Sequence, residues 1–216
     1  MDWSTADNGG VLPNSKMMKR IVSIIFLLAV GSAGLRAQDV DIEQIREDII
    51  SNAGRVLSID CDFTQIKESS LLSDKAVSTG HLTYRKPDYL EWSYKTPFVL
   101  TLTVDGAVTR LNRDGHKEEL SGKQARMIGE LTKLIVSNVN GSILTDNKMF
   151  SSSLSVADGQ IVITLSPRNK EMKKMWKALV LYYDMDCRHA RRFDMLEQSG
   201  DLTSITFNNA EYEFSE

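Results

Sequence analysis

The sequence predicts an α+β fold that is mainly β: one strongly curved antiparallel sheet with helices on a single face. Three observations carry this. Apolar and polar residues alternate through many short runs; Asp-Gly and Ser-Gly-Asp turns separate those runs; and the apolar period becomes helical in only two long stretches. The order is helix, several strands, helix, several strands. A helix interpolated between strands of one sheet packs across the open face of that sheet.

Ahead of these elements, Lys16, Lys19 and Arg20 precede the apolar run Ile21 to Val30, and small residues lead on to Ala37. This is the charged start, short apolar centre and small-residue exit of a secretory signal peptide. This ten-residue run, apolar but for Ser23, is too short for a bilayer span, which needs about 20. The expectation is export to the periplasm with cleavage near Ala37. Residues 1–37 then comprise upstream residues and the signal, and residues 38–216 form a single domain. The removed part carries four basic and two acidic residues, so the net charge moves from −3 to −5. That balance argues against a polyanion-binding surface, and no nucleic-acid partner is expected.

The first element is an amphipathic helix from Asp41 to Leu57. Ile42, Ile45, Ile49, Ala53 and Val56 recur every three or four residues, and Asp41 with Gln44 has the form of a capping box. Ile59, Cys61 and Phe63 then alternate with polar neighbours in a strand. Lys67 to Ser78 reads as a long polar connection before a strand from His81 to Arg85. Leu90, Trp92 and Tyr94 alternate with Glu91 and Ser93. After Thr96-Pro97, Phe98, Leu100, Leu102 and Val104 do the same, with Val99, Thr101 and Thr103 opposite. The Asp105-Gly106 turn leads to a strand over Val108 to Asn112.

From Ser121 the period is helical. Ser121 and Gln124 suit a capping box, and Met127, Ile128, Leu131, Leu134 and Ile135 form a wide apolar stripe that ends before Asn140-Gly141. Phe150, Leu154 and Val156, then Ile161, Ile163 and Leu165, flank the Asp158-Gly159 turn. Arg168 to Lys177 is a charged excursion bearing Met172, Met175 and Trp176. The excursion suits a solvated crossing or a partner contact through its Met and Trp side chains, and Lys170, Lys173, Lys174 and Lys177 suit anionic headgroups. Ala178 to Asp184, Phe193 to Gln198 and Leu202 to Asn208 are the last strands.

Catalytic signatures are absent. His81, His116 and His189 have no ligand partner at metal-binding spacing. There is no GxSxG elbow, HExxH pair or phosphate-cradling glycine loop. Acidic pairs such as Glu118-Glu119 sit beside turns, not across a polar cleft. No enzyme, cofactor or metal is expected. Cys61 and Cys187 allow a single pairing, which the sequence leaves open, and their spacing excludes a CxxC redox site. The positive signal is apolar: Leu90, Trp92, Tyr94, Phe98, Leu100, Leu102 and Val104 on strands, with the helical stripe above, line either a filled core or a cavity for a greasy ligand. Sliding the register by one would put Glu91 inside, which rules that pairing out.

The string from Gly80 to Tyr94 (GHLTYRKPDYLEWSY) fits G-x-L-x-Y-x-(R/K)-P-x-x-L-x-W-x-Y. Together with Cys61 to Lys67 (CDFTQIK), Thr96-Pro97, Asp105-Gly106, Ile163 to Pro167 and Ile205 to Phe207, it resembles the periplasmic outer-membrane lipoprotein carriers of the LolA type. The resemblance covers nearly all of the chain after the signal. It implies an unclosed β-barrel lidded by helices, with the seven strand residues as cavity walls and Met127, Ile128, Leu131, Leu134 and Ile135 as lid. It implies a monomer that takes acylated lipoprotein cargo from an inner-membrane ATP-driven release complex to an outer-membrane acceptor. The arginine that latches the lid in familiar members is replaced by Lys86, beside Arg85, so Lys86 is the expected lid contact. A lysine offers a point charge without a planar fork. A lipid- or protein-sensing module on the same fold, a carrier of a different lipid and an exported hydrolase are the alternatives.

Overall fold

The computed structural model describes residues 41–71, 74–122, 137, 142–145 and 150–216, all within the unit Val40–Glu216. The signal segment, Gln124 and the stripe Met127, Ile128, Leu131, Leu134 and Ile135 lie outside the described residues.

Helix α1 spans Ile42–Arg55. Asp41 caps it, accepting from the backbone N–H of Glu43 and Gln44 at 3.1 Å. The expected capping box is half made, because the Gln44 side chain donates onward to Asp48 Oδ1 at 2.9 Å. The helix stops two residues short of Leu57, since Val56 already has extended backbone and begins the sheet.

Eleven strands follow: β1 Val56–Glu68, β2 Lys75–Arg85, β3 Tyr89–Thr96, β4 Leu100–Asp105, β5 Val108–Arg113, β6 His116–Leu120, β7 Phe150–Ala157, β8 Gln160–Pro167, β9 Trp176–Asp184, β10 Ala190–Glu197 and β11 Leu202–Phe214. A short helix α2, Lys170–Met175, joins β8 to β9 and is capped by the Asn169 side chain. All eleven strands belong to one antiparallel sheet in the order β6-β5-β4-β3-β2-β1-β11-β10-β9-β8-β7. Two meanders are thus joined where β1 pairs with β11, and the sheet is curled but unclosed, with edges at β6 and β7.

Two expectations need correction, and one strand is added. The connection expected over Lys67 to Ser78 shrinks to the residues between Glu68 and Lys75, because the polar ends of β1 and β2 keep pairing to Glu68↔Lys75. The charged segment His116–Leu120, which the sequence leaves unassigned, is a strand held by backbone pairing to β5. The excursion Arg168 to Lys177 contains helix α2, and β9 starts at Trp176.

The strand period of two sends alternate residues to one face, and the registers put the large apolar groups together on it. Ile59 and Cys61 of β1 oppose Tyr84 and Leu82 of β2; Phe193 opposes Leu181 and Ile205; Ile163 opposes both Leu181 and Leu154. Ile161, Ile163, Leu165, Leu179 and Leu181 have no exposed surface at all. Helix α1 lays Ile45, Ile49 and Ala53 on this face, and the 3-10 turn Ser142–Leu144 adds Ile143 and Leu144. Polar bonds fix α1 along its length: Arg46 Nη1 donates to Ser152 Oγ at 3.0 Å, Asn52 Nδ2 to the Cys187 carbonyl at 3.1 Å, and Arg55 to the Ser215 carbonyl.

Candidate functional site

The β3–β4 pair sets the candidate wall. Its register is Leu90↔Val104, Trp92↔Leu102 and Tyr94↔Leu100, so all six side chains share one face, the face that also carries the core. Leu82 and Tyr84 extend this face through β2, and Leu111, paired with Leu102, extends it through β5.

Packing along the wall is graded. Leu90 and Trp92 are buried beside Leu82 and Phe63. Tyr94, Leu100, Leu102, Val104 and Leu111 are only half-buried, and Phe98 stands 49% exposed at the β3–β4 turn. The aromatic rings follow the same gradient. Phe63 meets Trp92 at 4.3 Å and the edge of Tyr94 at 5.3 Å, and Tyr94 meets Phe98 at 5.2 Å. The face is therefore a filled core through β8–β10, while β3–β5, like Leu154 and Val156 of the edge strand β7, present an apolar surface with free area. A hollow of about 410 Å³ opens there, lined by Phe98, Val99, Leu100, Arg113 and Asp114. A second of about 760 Å³, which also touches Arg113 and Asp114, runs along Leu111, His116, Lys117 and Glu118.

The local sequence explains this geometry. Gly80 opposes Phe63 across β1–β2, and a Cβ there would overlap the Phe63 ring and the Ser93 carbonyl oxygen. Glycine lets the ring lie against the strand and reach Trp92. Pro87 and Pro97 follow cis peptide bonds in the turns at either end of β3. Polar groups on the wall are few. The Tyr94 hydroxyl donates to Gln65 Oε1 at 3.0 Å, and burial pushes its phenol pKa up, keeping it neutral.

Lys86, the expected lid contact, reaches helix α1. Its Nζ donates to the Gly54 carbonyl at 3.0 Å, in the last turn of α1, while its backbone N–H donates to the Leu57 carbonyl at 2.8 Å. Arg85 instead lies over the Tyr89 ring at 5.4 Å. Residues that the sequence reading omits from the wall are Phe63, Gln65, Leu82 and Leu111. The first three belong to strands already read as alternating, and cross-strand pairing is the signal that adds them.

No group of three His, Cys, Asp or Glu side chains among the described residues is placed to hold a metal, and no described helix is long and apolar enough to cross a membrane. Cys61 and Cys187 are both buried free thiols. Burial, helped by Asp60 and Asp62, pushes the Cys61 thiol up to about 12, and burial also raises Cys187. Neither is an active nucleophile.

No curated protein matches the sequence. Among solved structures, a LolA-superfamily protein of Nitrosomonas europaea aligns at 8% identity over 79% of this chain and 94% of its own, with a TM-score of 0.40. A putative outer membrane lipoprotein-sorting protein domain of Vibrio parahaemolyticus aligns at 8% identity over 79% and 91%, TM-score 0.42. The Mycobacterium tuberculosis lipoprotein LppX aligns at 12% identity over 78% and 96%, TM-score 0.41. The family model for the outer membrane lipoprotein carrier protein LolA matches residues 54–215, from the end of α1 through the whole sheet, and the chain belongs to that family.

Proposed function

We propose that this protein is a non-enzymatic periplasmic carrier that shelters the acyl chains of lipoproteins against the β3–β5 half of its apolar face. The observation that carries the reading is the gradient along one wall. Leu90 and Trp92 are packed, whereas Tyr94, Leu100, Leu102 and Val104 keep free apolar area beside Phe98. Each acyl methylene taken out of water is worth about 0.8 kcal/mol, so a few turns of chain on this wall give useful affinity. Family membership supports lipoprotein as the cargo class.

In this reading Met127, Ile128, Leu131, Leu134 and Ile135 cover the wall when cargo is absent and are displaced by it. A ligand of higher differential affinity for the open state shifts the equilibrium. Lys86 holds the base of α1, a fixed side of the opening. Cargo enters from an inner-membrane ATP-driven release complex and leaves for an outer-membrane acceptor that offers a better apolar site. The test is to purify the protein from the periplasm and identify co-purifying molecules by mass spectrometry. Acylated peptides are expected. Recovery of only free glycolipid, or a wall that excludes every acyl probe, overturns the carrier reading.

A further inference from the structure

Exposed apolar side chains gather at one end of the sheet. The registers Glu68↔Lys75, Glu68↔Leu202, Glu197↔Trp176 and Thr79↔Thr96 place the ends of β1, β3 and β10 and the starts of β2, β9 and β11 together. Of the large apolar residues exposed among the described residues, Leu71 (91%), Val77, Phe98, Val99 and Met175 lie in or beside loops at this end, and only Met185 lies at the other.

Part of this end is one bonded unit. Gln198 donates its backbone N–H to the Met175 carbonyl at 3.0 Å and its side chain to the Trp176 carbonyl at 3.1 Å. One residue on, the Ser199 carbonyl accepts from Ser70 Oγ at 3.0 Å, and Asp201 Oδ1 accepts from both the N–H and the hydroxyl of Ser70. The β10–β11 turn thereby fixes α2 on one side and the β1–β2 loop on the other, and holds Leu71 and Met175 out beside it.

The charge of the segment that carries α2 opposes that of the protein. Between Arg168 and Lys177 there are five cations and one carboxylate, a local net of +4 in a chain of net −3. Lys170, Lys173 and Lys177 are exposed and pair with no carboxylate among the described residues. Isolated apolar tips on separate loops, with exposed lysines on α2 and the start of β9, do not make a groove for a peptide or helix. They suit a surface that is soft, apolar a few ångströms down and anionic on top.

We propose that this end of the sheet is a peripheral docking surface for anionic phospholipid bilayers. Leu71 and Met175 enter the headgroup layer, and Lys170, Lys173 and Lys177 meet the phosphates. The docking needs no acyl cargo, so it stands or falls separately from the carrier reading.

The test is flotation of the purified protein with vesicles of phosphatidylcholine alone and of phosphatidylcholine with phosphatidylglycerol. Every variant keeps the same N-terminal segment, so any contribution from Ile21 to Val30 is common to all. Binding is expected to the anionic vesicles only, and to be lost in high salt. The triple variant Lys170→Gln/Lys173→Gln/Lys177→Gln is expected to weaken it roughly tenfold or more. Leu71→Ser/Met175→Ser weakens it at unchanged salt dependence, and Met185→Ser at the opposite end leaves it intact. Matched thermal unfolding of all variants shows that the fold is kept. Equal binding to neutral vesicles, or anionic binding undiminished by both the lysine and the apolar variants, overturns the proposal.

Discussion

Lys86 Nζ and the Gly54 carbonyl, separated by 32 residues in sequence, are joined by a 3.0 Å hydrogen bond that places a cation at the C-terminal turn of α1. The carbonyls of the last helical turn lack internal partners and carry the negative end of the helix dipole. Lys86→Ala is expected to destabilise the protein by about 0.3–1 kcal/mol, with Lys86→Arg close to wild type. Urea denaturation of the three proteins measures this. An alanine variant of wild-type stability would show that the contact contributes nothing.

Gly80 is constrained more tightly, because a side chain there meets both the Phe63 ring and the Ser93 backbone. Gly80→Ala is expected to cost about 2 kcal/mol or more, the range for overpacking a filled site. Shrinking Phe63 as well does not restore stability, since the Ser93 carbonyl stays in place. Equilibrium unfolding of Gly80→Ala and of Phe63→Ala/Gly80→Ala measures both. Full rescue by the double variant contradicts the argument.

The wall is legible in sequence wherever alternation is unbroken. Leu90, Trp92 and Tyr94 face Leu100, Leu102 and Val104 because two regular runs meet through one turn. Leu111 escapes notice, since Thr109 and Arg113 flank it on the same face and no apolar period surrounds it. Strand β6 is illegible for a related reason: His116, Lys117, Glu118 and Glu119 have no apolar face, and only edge pairing to β5 makes them a strand. The unit formed by Ser70, Gln198 and Met175 is likewise invisible, being made of backbone and short polar side chains far apart in the chain. Periodicity reports burial; it carries no record of long-range polar ties.

The half-buried state of Leu102 separates a cavity wall from a core. A larger side chain inside a filled core is destabilising, typically by about 1–3 kcal/mol, whereas on a wall with free area it only consumes space. Leu102→Trp is expected to keep the unfolding midpoint near wild type while reducing binding of a fluorescent acyl probe at least several-fold. Leu181→Trp, at a position with no exposed surface, is expected to unfold readily. Equal destabilisation of the two variants contradicts the gradient along the wall.

Cys61 and Cys187 are both buried, and their thiols are held protonated by burial. Thiol reagents attack the thiolate, so labelling near neutral pH is expected only through unfolding. In denaturant both cysteines should label at once. Rapid labelling of the native protein, or fewer than two reactive thiols after denaturation without reductant, shows a different arrangement.

His81 and His189 are expected to give opposite pH dependences. His81 Nδ1 lies 3.0 Å from Asp62 Oδ1 and its Nε2 lies 3.0 Å from Asp60 Oδ1. Two carboxylate acceptors call for two N–H donors, so the fold favours the imidazolium and raises the His81 pKa, chiefly through Asp62. Its stabilisation is full below the ordinary value of 6.5 and fades as pH rises through the folded value. Asp62 is held below 3.8, mainly by His81 and Asn209, so its contribution is present above that value and fades as pH falls through its folded value. His189 is different: burial, then Arg191, lowers its pKa while the ring stacks on Tyr212 at 4.5 Å. The neutral ring is the folded form, and stability is lost as pH drops below 6.5. His81→Gln should therefore flatten the alkaline side of the stability profile, and His189→Gln the acid side. The His81 effect should be modest, about 1 kcal/mol or less, because its ring and both carboxylates are partly exposed. Thermal unfolding from pH 5 to pH 9 measures both effects, and identical profiles for the two variants would exclude this assignment of opposite signs.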